Sequence, residues 1–333
     1  MLDLQNSLSV ITGATGHLGY ALLKKLVSEG ERVRILIRKD SPLFDDIDCE
    51  KVYGDVTDLA SLTAAFEGAD TVYHFAGIID INTGNDHKIW DVNFGGTQKV
   101  VNACAEAGVR RLVYASSVDA YLPLPDDEVM TEVSRFEPNL LDGTYAKTKA
   151  TATNYIFDAV KHGKIDAVVI YPGACIGPYD FKVSNIGEMV RTVIKHGYPV
   201  SLRFGMYNFV DVRDIADGAY AAAKKGRCGE GYILCGERIS CDELICMLCR
   251  LSGHKEPKLK LGLGLIDAAL PVCEAYYKLS KATPLFTRYS VRKLLSNCNF
   301  SIEKARRELD YSPMSVEQSF SDMIEWIKTH ENI

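Results

Sequence analysis

The 333 residues predict an α/β fold: a doubly wound parallel sheet followed by a smaller, mostly helical C-terminal region. Three observations carry that expectation. A short apolar run near the N-terminus enters a glycine-rich turn and then a segment with helical apolar spacing. Apolar, β-branched runs then alternate with helical patterns. After Cys175 the alternation loosens, and most of the remaining chain has helical spacing. The layout is Rossmann-type. Residues 1–175 read as a dinucleotide-binding domain to which 208–225 returns, and 176–333 as mainly a substrate-binding and capping region.

Composition narrows the function classes. With 47% hydrophobic and 25% charged residues the chain is ordinarily globular, long enough for one large domain or a large one and a small one. A formal charge of −6 without a long basic run argues against a nucleic-acid surface. Met1 to Ser9 contains Asp3 and lacks the basic flank and apolar core of a secretory signal. The most apolar late stretch, Leu259 to Leu279, carries Lys260, Asp267, Pro271 and Glu274, which suit an amphipathic cover and not a membrane span. A cytoplasmic chain with its ten cysteines reduced is the resulting expectation. Cys241, Cys246, Cys249 and His254 have part of a zinc-site spacing. Ser240 and Glu243 read as a helix capping box there, so no metal is assigned.

The elements are taken in chain order. Strand Leu8–Ile11 runs into Thr12-Gly13-Ala14-Thr15-Gly16-His17-Leu18-Gly19, and Tyr20 to Leu26 continues as helix. Gly13, Gly16 and Gly19 permit a tight turn and close approach to a pyrophosphate. Thr15, His17 and Leu18 share that turn, and the helix N-terminus presents free N–H groups. The second strand, Val33–Ile37, ends at Arg38-Lys39, where an NAD-type fold places an acid on the ribose hydroxyls. A guanidinium suits a 2′-phosphate, so NADP(H) is favoured over NAD(H); a solvated basic strand end is the plain alternative.

Glu50–Tyr53 leads through Gly54-Asp55-Val56-Thr57-Asp58 to a helix over Leu59–Glu67. Asp55 and Val56 stand where an adenine would rest, although Asp55 equally suits a plain turn. Strand Thr71–Phe75 ends in Ala76-Gly77, and Phe75, Ala76 and Gly77 would let a ribose lie close. His74, inside that apolar strand, reads as packed. A helix spans about Asp86 to Ala107 and includes Asn93, and strand Arg111–Tyr114 delivers Ala115-Ser116-Ser117 to its carboxyl end. Ligands gather at that end of a parallel sheet, where the Ser117 hydroxyl is either a substrate donor or a cap. After an acidic loop over Pro123–Phe136, Tyr145 and Lys149 open the next helix, one turn apart on one face. A phenol with a pKa near 10 is a poor acid or base, and a nearby ammonium would lower that pKa.

Strand Ala167–Tyr171 precedes Pro172-Gly173-Ala174-Cys175-Ile176-Gly177-Pro178, which reads as a shaped loop. Then come a helix over Ile186–Lys195, strand Asn208–Val212, helix Asp214–Lys224, strand Gly231–Gly236, and helices over Ser301–Leu309 and Val316–Lys328.

Taken together, TGATGHLG (12–19), GDVTD (54–58), HFAG (74–77), NFGGT (93–97), YASSVDAY (114–121), YAKTK (145–149), YPGACIGP (171–178) and NFVDVRDIADG (208–218) are specific. The chain resembles an extended short-chain dehydrogenase/reductase of the NAD(P)-dependent epimerase/dehydratase superfamily, almost end to end. It is most similar in look to the dihydroflavonol reductase-like and 3β-hydroxysteroid dehydrogenase-like branch. The resemblance implies Tyr145 as catalytic acid/base, Lys149 as its partner and nicotinamide-ribose ligand, and Ser117 as the hydroxyl orienting the substrate oxygen. It also implies Asn93 as a supporting residue, Tyr171, Pro172 and Gly173 beside the nicotinamide, and a homodimer through residues 86–107 and 143–161. Tyr171 departs from the arginine that many relatives carry.

The expected reaction interconverts a ketone and a secondary alcohol. Ile78, Ile79, Val118, Tyr121, Cys175, Ile176 and Phe181 follow strand ends and would line an apolar pocket roofed by Leu261–Tyr277, or would pack the interdomain core. A pocket of that kind suits a bulky, weakly charged small molecule such as a steroid or polyphenol. The rival reading is a nucleotide-sugar epimerase or dehydratase that recycles its cofactor and grips a diphosphate with Arg191, Lys195 or Arg203. A non-enzymatic NADP-binding redox sensor is a second rival, disfavoured by the presence of Tyr145 and Lys149.

Overall fold

The computed structural model describes residues 7–79, 86–126, 128–266, 291 and 294–331. Its centre is a seven-stranded parallel sheet. The strands are β1 (Leu8–Thr12), β2 (Arg32–Ile37), β3 (Glu50–Tyr53), β4 (Thr71–His74), β5 (Arg111–Ala115), β6 (Ala167–Pro172) and β10 (Gly231–Leu234), in the order β10-β6-β5-β4-β1-β2-β3. Strands β1, β4, β6 and β10 are buried at every position. That is why they read as continuous apolar runs with no alternation. The strand order reverses between β1 and β4, which opens a crevice at their carboxyl ends.

Helices flank the sheet in two groups. Helix α1 (His17–Ser28) packs along α7 (Val212–Lys225), and α2 (Leu59–Phe66) along α4 (Gly96–Glu106), which meets α5 (Thr144–Lys161). The expected helix over Asp86–Ala107 is α3 (Asp86–Trp90) joined to α4 by a π-helical turn, Asp91–Gly95.

The C-terminal part builds a second core. Helices α6 (Asn185–His196), α8 (Cys241–Leu251) and α10 (Val316–Glu331) bury Val190, Val193, Leu244, Leu248, Phe320 and Ile324 against a three-stranded sheet. That sheet is β11 (Glu237–Ser240), β9 (Met206–Asp211) and β7 (Ala174–Ile176). Helix α9 (Glu303–Leu309) instead packs on α7.

Two expectations change here. Residues 172–178, expected as a loop, contain β7. Gly177, at φ +111°, turns the chain out of that strand where any side chain would meet the Asp211 carboxylate at 2.8 Å. Leu259–Leu261, expected as the start of an amphipathic cover, is a strand, β12, paired with β8 (Val200–Leu202). Most of the expected roof, residues 267–277, lies outside the described residues. The capping box at Ser240 and Glu243 is formed. It opens α8, with Cys241 and Cys249 buried on the helix, while His254 bonds the Ile194 carbonyl at 3.0 Å. Among the described residues no helix is long and apolar enough to cross a membrane.

Candidate active site

The glycine turn forms the floor of the crevice. Gly13 adopts φ +86°, and a side chain there would meet the Ala76 nitrogen at 2.6 Å, so the β1 turn lies directly against the end of β4. Gly19 is excluded from carrying a side chain by the Gly13 carbonyl, 2.2 Å from where its Cβ would stand. Helix α1 starts after Gly16 with no side-chain cap, which leaves its first N–H groups facing the crevice. His17 bonds the Pro178 carbonyl at 2.7 Å, and burial lowers its pKa against the pull of Asp180.

Arg38 and Lys39 are exposed past the end of β2. Asp55 accepts from the Thr57 nitrogen at 2.9 Å and hydroxyl at 2.7 Å. Partial burial works against its ionisation, but the Thr57 bonds and nearby Arg38 and Lys88 hold its pKa below the ordinary value. Asp55 is thus a formed turn residue. The buried Val56 packs on α4, 3.1 Å from where a Gly96 Cβ would stand.

At the end of β5, Ser116 bonds Thr153 of α5 at 2.8 Å, while Ser117 accepts from the Asp119 nitrogen at 3.1 Å and points toward Tyr145. Tyr145 is partly exposed as a residue, but its phenol oxygen is enclosed. Burial raises its pKa above the ordinary value and Asp119 adds to the rise, while the hydrogen bond with Ser117 works against it. The expected lowering by Lys149 is not what this geometry produces. The Lys149 ammonium is drawn instead to the Ala115 carbonyl at 2.6 Å and stands 4.9 Å over the Tyr114 ring. Burial pushes its own pKa down to about 7. Lys149 Nζ also lies 3.5 Å from where a Gly77 Cβ would stand, beside Asn93 Oδ1 at 3.4 Å.

Asn93 sits on the π-turn and is buried. Its side chain accepts from the Ile78 nitrogen at 2.8 Å and donates to the Ile78 carbonyl and the Thr148 hydroxyl, each at 3.1 Å. The Thr148 hydroxyl in turn donates to the Tyr145 carbonyl at 2.8 Å.

A hydrogen-bond chain reaches Asn93 from the other side. Ala76 N–H donates to Thr12 Oγ1 at 3.3 Å, and Thr12 bonds His74 Nδ1 at 2.8 Å. His74 Nε2 meets Thr97 Oγ1 at 3.0 Å, and Thr97 donates to the Asn93 carbonyl at 2.6 Å. Each hydroxyl has one proton to give, and Thr97 gives its own to the Asn93 carbonyl, so the proton of His74 is on Nε2 and Thr12 donates to Nδ1. Burial lowers the His74 pKa to about 3, so the imidazole is neutral and packed, as its place in an apolar strand suggests.

The expected substrate residues divide. Ile78, Val118 and Cys175 are partly buried at the crevice and Ile79 is 73% exposed; burial pushes the Cys175 thiol up to about 12, so it is neutral. Tyr121 and Ile176 are taken up by packing, and Phe181 is 37% exposed. Tyr121 packs edge-on against Phe136, Tyr171 and Phe300, and Ile176 is fully buried in the second core. Phe181 packs edge-on to Tyr20 of α1 and Trp326 of α10, beside the glycine turn. Tyr171, expected beside the nicotinamide, is wholly buried, its ring filling the space above Gly231 in the neighbouring strand. A phenol replacing an arginine there turns into the core. Gly173 sits in a tight contact, its Cβ position lying 3.1 Å from Cys235 Sγ.

Two residues near the site were not anticipated. Asp119, two positions after Ser117, acts on Tyr145 through its charge. Lys182 reaches Thr15 of the glycine turn. Nothing in the spacing singles out either, because Asp119 arrives on a single 3-10 turn, Val118–Ala120, and Lys182 on a loop.

The crevice fits a nicotinamide dinucleotide. It has a glycine floor that side chains would fill, an uncapped helix start, exposed cations past β2, and a buried ammonium near Gly77. The sequence profile described as NAD dependent epimerase/dehydratase family matches residues 9–235. The chain is 34% identical to Sterol demethylase protein B of Methylococcus capsulatus over 96% of this chain and 98% of that protein. It is 28% identical to a 3-beta-hydroxysteroid dehydrogenase of Mycolicibacterium neoaurum, over 95% of this chain and 90% of that one. The crystal structure of gox2253 superimposes with a TM-score of 0.86 at 28% identity, covering 98% of this chain and 100% of that one.

Proposed function

The chain belongs to the NAD dependent epimerase/dehydratase family, whose members are nicotinamide-dinucleotide enzymes, and from that premise we propose that it interconverts a ketone and a secondary alcohol on a bulky apolar substrate of steroid or flavonoid size. The observation that carries this reading is the convergence of the Ser117 hydroxyl and the Tyr145 phenol, with Lys149 one helical turn on. When bound, the cofactor supplies or accepts the hydride. Gly13, Gly16 and Gly19, with the N-terminus of α1, would hold its pyrophosphate. Arg38 and Lys39 would hold a 2′-phosphate, Asp55 and Val56 would border its adenine, and Phe75 to Gly77 with Lys149 its ribose.

Ser117 donates to the substrate oxygen, where charge grows during reduction. Tyr145 passes its proton to that oxygen, and in the reverse direction removes the alcohol proton. A raised phenol pKa keeps the proton on Tyr145 but makes it a weaker acid, so turnover needs a group that lowers it. Lys149, ionised by a ribose contact, would bring the phenol back toward its working range. Asn93 holds Ile78 at the crevice edge and, through Thr148, the first turn of α5.

Of the three cations that the nucleotide-sugar rival could use, Arg191 is the one that supports the ketone reading, while Lys195 and Arg203 are exposed. Arg191 is buried and committed to Glu331 and Asp180, so it is not available to grip a diphosphate. The apolar reading is supported by Ile78 and Val118 at the crevice and by relatives named for sterols and hydroxysteroids.

The test is a panel of ketosteroids, flavonoids and nucleotide sugars followed by absorbance of reduced cofactor. Net consumption of NADPH with a ketosteroid or flavonoid is expected. Conversion of a nucleotide sugar without net cofactor change would refute the reading, and a large preference for NAD(H) would refute its cofactor part. Tyr145→Phe is expected to lose roughly 10²–10⁴-fold in kcat with the dinucleotide Kd unchanged. Near-normal turnover would remove Tyr145 from its role.

A further inference from the structure

The segment after β7 reaches back over the glycine turn in an unusual backbone state. Tyr179 has φ +75° and Val183 φ +49°, a left-handed conformation that disfavours side chains and a β-branched one most of all. The segment is nevertheless pinned. The Asp180 carboxylate accepts from the Ser184 nitrogen at 3.0 Å and hydroxyl at 2.9 Å, with the Arg191 guanidinium 3.7 Å away. His17 holds the Pro178 carbonyl at 2.7 Å, and the Tyr179 and Phe181 rings lie 5.3 and 5.0 Å from Tyr20. Strain maintained by so many contacts aims whatever the segment carries.

It carries Lys182, whose Nζ stands 3.1 Å from Thr15 Oγ1. Partial burial and the neighbouring Arg38 both push the Lys182 pKa down, so two cations share this end of the crevice. Among the described residues no carboxylate forms an ion pair with Lys182, although the chain carries 44 acidic residues. Two cations and a hydroxyl between the pyrophosphate turn and the end of β2 make a donor set for an anion.

We propose that Lys182 is a phosphate-binding residue of the dinucleotide site, supplied by the capping region and completing the set begun by Thr15 and Arg38. The proposal rests on the crevice binding NAD(P), and it is independent of the ketone or alcohol. It makes cofactor binding a contact between the sheet and the capping segment.

The test titrates the full-length chain, Lys182→Ala and Lys182→Arg with NADPH and NADH, reading nucleotide fluorescence without any second substrate. Lys182→Ala is expected to weaken binding about tenfold or more, and Lys182→Arg to recover most of it. Loss confined to NADPH identifies the 2′-phosphate as the ligand; equal loss with both identifies the pyrophosphate. Unchanged affinity in Lys182→Ala overturns the proposal. So does a loss that Lys182→Arg does not recover and that accompanies a lower Tm, because it then reflects loop packing. If the wild-type chain binds neither nucleotide, the dinucleotide reading fails and takes the proposal with it.

Discussion

An ammonium enclosed with a carbonyl and an aromatic face as its partners is costly to bury, and Lys149 is held that way. With its pKa pushed down to about 7 by burial, it binds its proton less tightly in the fold than in the unfolded chain, where 10.5 applies. Linkage sets the sign. Between those values the unfolded chain carries the extra proton, so this residue's contribution to stability grows as pH rises and is lost as pH falls through about 7. Lys149→Met, in the absence of cofactor, is therefore expected to raise stability at pH 7 by on the order of 1–4 kcal/mol while abolishing turnover. The gain should shrink as the pH approaches 10. Urea titrations at pH 6, 8 and 9.5 would measure it, and a pH-independent loss of stability would contradict it. At this scale the residue types and spacing of Tyr145, Lys149 and Ser117 were legible in the sequence. The direction of the phenol's pKa was not, because it depends on how deeply α5 buries the ring end. Lys182 was illegible for a related reason, since only a loop path brings it to Thr15.

Element types were readable wherever a strand is buried on both faces or a helix carries one apolar stripe. The three-residue strands β7, β8 and β12 escaped because so few residues carry no period, and β11 because its ERIS run is only partly buried and leads straight into a capping box. The π-turn at Asp91–Gly95 also escaped, since one surplus helical residue leaves the apolar pattern nearly intact. Thr12, His74 and Thr97 are polar groups in apolar segments, and such groups need partners. Their hydrogen-bond chain joins β1, β4 and the π-turn to Asn93. Thr97→Val keeps the shape but deprives His74 Nε2 of its acceptor and the Asn93 carbonyl of a donor. We expect a loss of about 1–3 kcal/mol by urea denaturation and a fall in kcat greater than any change in cofactor Kd. A variant as stable and as active as wild type would show that the chain of bonds has no consequence.

At the scale of the molecule, the second sheet is fastened to the C-terminal helix through Asp211. Its carboxylate, 1% exposed, accepts from the Arg213 nitrogen and side chain at 2.8 Å and from the Ser319 hydroxyl at 2.5 Å, while Arg213 also reaches Asp322. Asp211→Ala is expected to cost roughly 2–5 kcal/mol, because Arg213 and Ser319 lose a buried acceptor. Fluorescence of Trp326 on α10 would report the transition, and a cost below about 1 kcal/mol would contradict this account. The fold class was legible from the alternation of its first half, but the path of the later chain was not. From β6 the backbone enters the second sheet at β7 and β9, returns to the first with α7 and β10, and leaves again at β11. The two sheets are therefore interleaved along the sequence. A chain emerging from the ribosome cannot close its large sheet at residue 175. Until residue 234 is made, β6 is an open edge inviting strands from other molecules. A fragment cut at the apparent domain boundary would inherit that edge permanently.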